Sequence, residues 1–175
     1  MTREEELRKH QHTMVSVGTG IILFGLWSMV KVVLFFIMND PFKDYDLHLE
    51  GYDSPKANTT IYVIALIMAA IVVLIDLRLR WVIGHTARDY GMEKRDRMGP
   101  RFYIAFLITL LIDFSEIALE IYGYTVEGVD LLDNTVTLLV DLTSFVTLLE
   151  LILAFFWINE IRQEQAKQGG RLNAA

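Results

Sequence analysis

Three carboxylic acids share one face of the apolar segment 102–122. Asp113, Glu116 and Glu120 are three and four residues apart. Because a helix advances by about 100° per residue, they fall with Thr109 within an arc of roughly 60°. The segment has the ~20 residues that a helix needs to cross a bilayer. Since acids at that depth are costly in contact with lipid, this face is expected to point towards other helices, protons or bound cations.

Further apolar segments supply the expected neighbouring helices. Together with the first, the predicted spans are 14–38, 60–83, 102–122 and 136–158. The composition agrees, since 53% of the 175 residues are hydrophobic and the mean hydropathy is +0.37, as is typical of a small membrane protein. The sequence therefore predicts an all-α integral membrane protein, an antiparallel four-transmembrane-helix bundle that forms a single membrane domain over residues 1–175.

The basic residues predict the orientation of this bundle. Of 16 lysines and arginines, 13 lie in the N-terminal segment, in or beside the connection 84–101, or in the polar tail 159–175. The positive-inside rule places these regions, and so both termini, in the cytoplasm of a multi-pass cell-membrane protein. The basic connection is also expected to contact anionic lipid. The tail is expected to leave the helical state at Gly169-Gly170.

The other spans also carry charged residues. Asp141 in the fourth span and Lys31 in the first are expected near Glu116 and Glu120, in the outer part of the membrane. Lys31 is the counter-charge for these acids. In that position it either neutralises one of them or competes with a bound cation.

A second set of polar residues is expected towards the cytoplasmic side. Asp76 in the second span and Glu150 in the fourth are predicted to form an inner polar pair. Arg78 and Arg80 follow Asp76 on the same helix. They are expected to extend towards the headgroups, or to reach one of the two acids.

The balance of charge within the spans favours a binding site over simple ion pairing. The buried stretches hold six acids and one lysine, and at most three of the acids find a basic partner. The remainder must be protonated, hydrated or bound to a cation. With no cysteine in the chain and no histidine in the spans, oxygen ligands favour protons, Na⁺, Ca²⁺, Mg²⁺ or Mn²⁺ over zinc or copper. The identity of any metal stays open, and no other cofactor is predicted.

Several functional classes find no support in the sequence. The net charge of −6 argues against binding nucleic acid through a basic surface. The chain has no serine–histidine arrangement, glycine-rich phosphate loop or H-E-x-x-H motif, and we therefore predict that it is not an enzyme. Voltage-sensor domains share a four-span layout, but the fourth span here contains no arginine.

Two functions remain, a transport protein and an accessory protein. The first is a small cation or proton channel or transporter, in which Asp113, Glu116, Glu120 and Asp141 bind the cation. Asp76 and Glu150 would complete an inner exit. The alternative is a non-catalytic accessory or structural subunit of a larger membrane complex. In either case the expected partners are the lipid bilayer and further copies of this chain or another membrane subunit.

Overall fold

The computed structural model of the protein contains four long helices. It describes residues 3–38, 55–126 and 131–172. The helices are α1 (Arg3–Met38), α2 (Pro55–Gly91), α3 (Pro100–Val126) and α4 (Leu131–Leu172). No strand occurs among the described residues. The prediction of an all-helical chain with four helices is confirmed.

Three of the four helices are long and apolar enough to cross a membrane. These spans lie within Arg3–Leu34 of α1, Pro100–Tyr122 of α3 and Thr135–Gln165 of α4, which confirms the predicted membrane class. In the bundle α1 packs against α2 and α4, and α3 packs against the same two helices. The helices thus form a closed ring in which each has two neighbours.

The helices extend beyond the apolar segments that predicted them. α1 begins at Arg3, inside the charged N-terminal segment, and α2 begins at Pro55. Proline suits the first helical position, where its missing N–H has no partner to lose. α4 continues to Leu172, so the expected break at Gly169-Gly170 is wrong. A glycine lowers helix propensity by about 1 kcal/mol, which weakens a helix end without ending it.

Buried apolar side chains form a core in the half of the bundle next to the α2–α3 connection. The core draws on all four helices, and its fully buried members include Met14, Ile21, Ile83, Phe102, Leu148 and Ile158. Tyr90 closes this end, where the guanidinium carbon of Arg162 lies 4.7 Å from its ring centroid. Burial raises the pKa of Tyr90, and the positive charge of Arg162 opposes the shift.

Glycines bring the backbones of α1 and α2 into direct contact. A Cβ atom added to Gly18 would lie 2.9 Å from the carbonyl oxygen of Gly84, and one added to Gly91 would lie 2.8 Å from that of Gln11. Both separations are shorter than a carbon atom tolerates, so only glycine fits at these crossings. As a result α1 and α2 pack as a closely joined helix pair.

Candidate functional site

Polar side chains fill the ring beyond the apolar core in two clusters. The inner network, which is nearer the core, consists of Asp76, Arg80, Asp113 and Ser144. The outer cluster consists of Lys31, Glu120 and Asp141, together with Glu116, which is one helical turn from Glu120 on α3. Asp113 and Glu116 are one helical turn apart on α3, so the two clusters are continuous along that helix.

The inner network is a closed set of hydrogen bonds that joins α2, α3 and α4. Arg80 donates from Nε to both carboxylate oxygens of Asp76, each at 3.0 Å. Its Nη1 donates to Ser144 Oγ at 2.6 Å, and its Nη2 donates to Asp113 Oδ1. Ser144 Oγ donates in turn to Asp113 Oδ2 at 2.9 Å. Arg80 is only 3% exposed and Asp113 only 1%, so this network is shielded from its surroundings.

The local sequence explains why α2 supplies half of this network. Asp76 and Arg80 are four residues apart, which places them on the same face one turn apart. On the facing helix, Gly25 leaves room for the arginine. A Cβ atom added to Gly25 would lie 3.2 Å from Arg80 Cδ and 3.3 Å from its Cβ. The absent side chain on α1 therefore lets the guanidinium group turn inwards to α3 and α4.

The outer cluster places one lysine among three carboxyl groups. Lys31 Nζ donates to the two carboxylate oxygens of Asp141 at 2.8 and 3.0 Å and lies 4.0 Å from Glu120 Oε1. Asp141 and Glu120 therefore lie on either side of one ammonium group. One lysine thus faces an excess of negative charge.

Two acids of the outer cluster are incompletely paired. Glu120 Oε2 is buried and has no hydrogen-bond partner within the described ranges. Glu116 is partly buried and forms no hydrogen bond or ion pair with another described residue. A buried acceptor without a partner is unfavourable. The carboxylate oxygens of Glu116 and Glu120 are therefore the positions of the cluster where a proton or a cation could bind.

The two basic side chains lie on one helix pair and most of the acids on the other. Lys31 belongs to α1 and Arg80 to α2. The acids Asp113, Glu116, Glu120 and Asp141 belong to α3 and α4. Each base contacts the neighbouring helix of the other pair, Lys31 on α4 and Arg80 on α3. Electrostatic attraction therefore acts between the α1–α2 pair and the α3–α4 pair.

The structure brings together most of the predicted site residues, but not the predicted inner pair. Asp76 pairs with Arg80. Glu150 lies exposed on the surface of α4 and forms no ion pair with a described residue. The expectation that Arg80 reaches the headgroups is wrong, because the arginine is buried and turns towards Asp113. Of its two proposed acidic partners, Asp76 is the one it contacts.

Sequence reasoning missed Ser144 and the central position of Arg80. The spacing of four residues between Asp76 and Arg80 is a visible signal for an ion pair on one helix. The spacing does not reveal that the guanidinium group also bridges to two other helices. Ser144 carries no charge, and serine is common in transmembrane helices. The sequence therefore gives no reason to select this serine over other polar residues of the spans.

Known proteins supply no template for this arrangement. No protein-family model matches the sequence, and no curated protein or solved structure shows significant similarity to it. Within the described ranges, no three histidine, aspartate or glutamate side chains are grouped closely enough to hold a metal ion.

Proposed function

We propose that the chain is a four-span protein of the cell membrane with both termini in the cytoplasm. α2 is the fourth span, in addition to the three apolar helices. The support comes from its exposed surface between Val63 and Ile75, where every large exposed side chain is apolar. Such a surface is unfavourable in water and suits lipid. The charged residue of this region, Asp76, is buried in the ring.

The orientation predicts the accessibility of two connections. A reporter inserted after Lys94, between α2 and α3, should be active only in the cytoplasm, because this connection is rich in basic residues. A reporter in the segment 44–53, between α1 and α2, should be active only outside. Enzymatic reporters that function on opposite sides of the membrane measure both positions. The reverse pattern at either position would contradict the proposed orientation.

Within this topology the chain acts as a small channel or transporter for protons or other cations, with protons as the leading cargo. The observation that carries this proposal is the outer cluster, where a single lysine lies between Asp141 and Glu120 and the second carboxylate oxygen of Glu120 is buried without a hydrogen-bond partner among the described residues. A proton neutralises a carboxylate directly. A metal cation would in addition have to displace the ammonium group of Lys31.

In this proposal a proton that leaves the outer cluster is accepted next by the inner network. Asp113 is one turn from Glu116 and is held by Arg80 and Ser144. Protonation of Asp113 would remove its attraction for the guanidinium group, which would still be paired with Asp76. In this scheme Arg80 is an internal counter-charge that must be released before a proton passes towards the apolar core.

Proton flux into liposomes tests this function. The purified protein is reconstituted with a pH-sensitive dye inside the vesicles, and a potassium diffusion potential drives protons inwards. Wild-type protein should acidify the lumen faster than empty liposomes do. Glu116→Gln should lower the flux by at least about ten-fold, because it removes the proton-binding group of the outer cluster that is one turn from Asp113. Its stability should change by less than about 0.5 kcal/mol, since Glu116 has no direct partner among the described residues.

Glu150→Gln is the matched control for this experiment. It makes the same chemical change on the same bundle, but at an exposed position outside both clusters, so its flux should equal that of wild type. A second assay tests transport of other cations: a Na⁺ gradient replaces the proton driving force, the pH is the same on both sides of the vesicle membrane, and Na⁺ flux is measured. Wild-type flux no greater than that of empty liposomes in either experiment would contradict transport.

The position of Glu150 favours a second candidate, a non-catalytic accessory or structural subunit. An exposed carboxylate within an apolar span is unfavourable against lipid, and it gains if a basic group of another subunit covers it. The surrounding exposed residues, Val146, Leu153 and Trp157, would supply an apolar contact surface. In this case the protein extracts as a complex, Glu150→Leu changes its assembly, and the protein alone carries no flux.

A further inference from the structure

A cavity lined by both charged and apolar side chains lies outside both clusters, where α2 meets the start of α3. Its volume is about 410 Å³, and it opens at the surface of the bundle. The side chains that determine its chemistry come from α2, from the connection and from the first turn of α3. They are Arg78, Trp81, His85, Arg95 and Arg101. Among the described residues no acidic side chain lines the cavity, and the walls that these residues form are strongly basic.

Two of the three arginines have no acidic partner in the part of the chain that the structure describes. Arg78 and Arg101 are exposed and form no ion pair with a described residue. Arg95 is held by Asp89, whose Oδ2 lies 3.3 Å from its Nε. The same oxygen lies 3.2 Å from His85 Nδ1. Asp89 therefore fixes one wall of the cavity, and two guanidinium groups remain free to bind an anion.

The beginning of α3 adds to the positive potential of the cavity. Gly99 and Pro100 line it, and α3 continues for 27 residues from Pro100. The N–H of Phe102 donates to the carbonyl oxygen of Gly99 at 3.0 Å, which closes the first turn. The partial positive charge of a helix N-terminus favours a bound anion, and here it supports the arginines.

The level of the cavity along α2 points to the surface of a membrane. The exposed apolar surface of this helix ends near Ile75, and Trp81 follows, with 48% of its surface exposed. Tryptophan at this position is typical of the boundary between acyl chains and headgroups. Arginine presents a planar group of donors that matches the oxygens of a phosphate. The cavity therefore combines an apolar approach with a phosphate-binding end.

We infer that this cavity binds the phosphate group of an anionic phospholipid. The headgroup would lie between Arg78 and Arg101, with Arg95 as the third positive charge, and the acyl chains would follow the apolar surface of α2. The inference is separate from the transport proposal, because it concerns different residues and a ligand that binds without crossing the membrane. The sequence predicts that the basic connection 84–101 contacts anionic lipid, and this cavity is a specific location for that contact.

Native mass spectrometry of the purified protein in a neutral detergent tests the inference. Titration with phosphatidylglycerol and with phosphatidylcholine gives a dissociation constant for each lipid. Wild-type protein should bind phosphatidylglycerol more tightly. Each of Arg78→Gln and Arg101→Gln should weaken that binding by about five-fold, which corresponds to the ~1 kcal/mol that a basic side chain contributes near an anionic surface.

Two further variants separate the cavity from general charge attraction. Arg97→Gln removes a charge from the same connection, at an exposed residue that does not line the cavity, and it should leave the dissociation constant unchanged within about two-fold. Gly99→Leu fills space without changing charge, since a Cβ atom there has no neighbour within 4 Å. It should weaken binding as much as the loss of an arginine.

Inorganic phosphate distinguishes the two sources of the ligand. If phosphate alone binds with the same dependence on Arg78 and Arg101, and displaces phosphatidylglycerol, the phosphate site stands and its ligand is the free anion. Failure of phosphate to compete assigns the site to the lipid. The inference is overturned if wild type binds both lipids equally, or if Arg97→Gln weakens binding as much as Arg78→Gln.

Discussion

Replacing Arg80 with methionine is expected to lower the free energy of unfolding by about 3–5 kcal/mol, the effect of removing one partner from a buried ion pair. The change leaves Asp76 and Asp113 buried without their shared counter-charge, and Ser144 loses the donor on its oxygen. Methionine keeps most of the apolar stem that packs against Gly25. Denaturant titration of the protein in mixed micelles measures the loss.

Arg78→Met is the matched control for the change at Arg80. It removes the same side chain two residues away on the same helix, but from an exposed position with no acidic partner among the described residues. Its effect should stay within about 0.5 kcal/mol. Asp113→Asn added to Arg80→Met should recover part of the loss, because it removes one of the stranded charges. Equal stability of the two arginine variants would show that the inner network does not stabilise the fold.

Replacing Gly84 with alanine is expected to destabilise the bundle by about 1–3 kcal/mol, the usual effect of overpacking a close contact. The new methyl group would meet the carbonyl oxygen of Gly18 and the side chain of Ile22. The first of these is backbone and cannot rotate away, so α1 and α2 would have to separate. The expected loss is net of the gain of up to about 1 kcal/mol that alanine brings in helix propensity.

Gly20→Ala provides a control with the same chemistry on the facing helix. The added Cβ would meet only Thr147 Cγ2, at 3.8 Å, which is an ordinary contact. Without a clash, the gain in helix propensity should leave this variant as stable as wild type or more stable. Comparison of the two melting temperatures under identical detergent conditions decides the matter. If Gly84→Ala and Gly20→Ala have the same melting temperature, the contact between α1 and α2 is looser than the close approach at Gly84 indicates.

The sequence was sufficient to predict the helical membrane class and the polar face of α3. Hydrophobic length and the spacing of Thr109, Asp113, Glu116 and Glu120 are local properties, and the structure places Thr109 and Asp113 fully inside the ring. The association of Lys31 with the outer acids also follows from the similar levels that the predicted spans give these residues. Local properties therefore located the groups that must avoid lipid.

The partner of each charge could not be predicted in the same way. Whether an arginine near a helix end turns outwards or inwards depends on space offered by a neighbouring helix, and here Gly25 supplies that space to Arg80. Helix periodicity gives the direction of Glu150 relative to Asp141, but not which direction meets another helix. The arrangement of the four helices is what places Glu150 on the exposed surface of α4.

Because charge is divided between the two helix pairs, the molecule resembles a heterodimer whose two subunits are covalently joined in one chain. The α1–α2 pair is joined by its glycine contacts and carries Lys31 and Arg80, while the α3–α4 pair carries the acids that receive them. Such a surface is complementary to the other pair and repels a copy of itself. Fragments severed in the exposed connection near Arg97 should therefore recognise each other in the membrane and reassemble by fragment complementation.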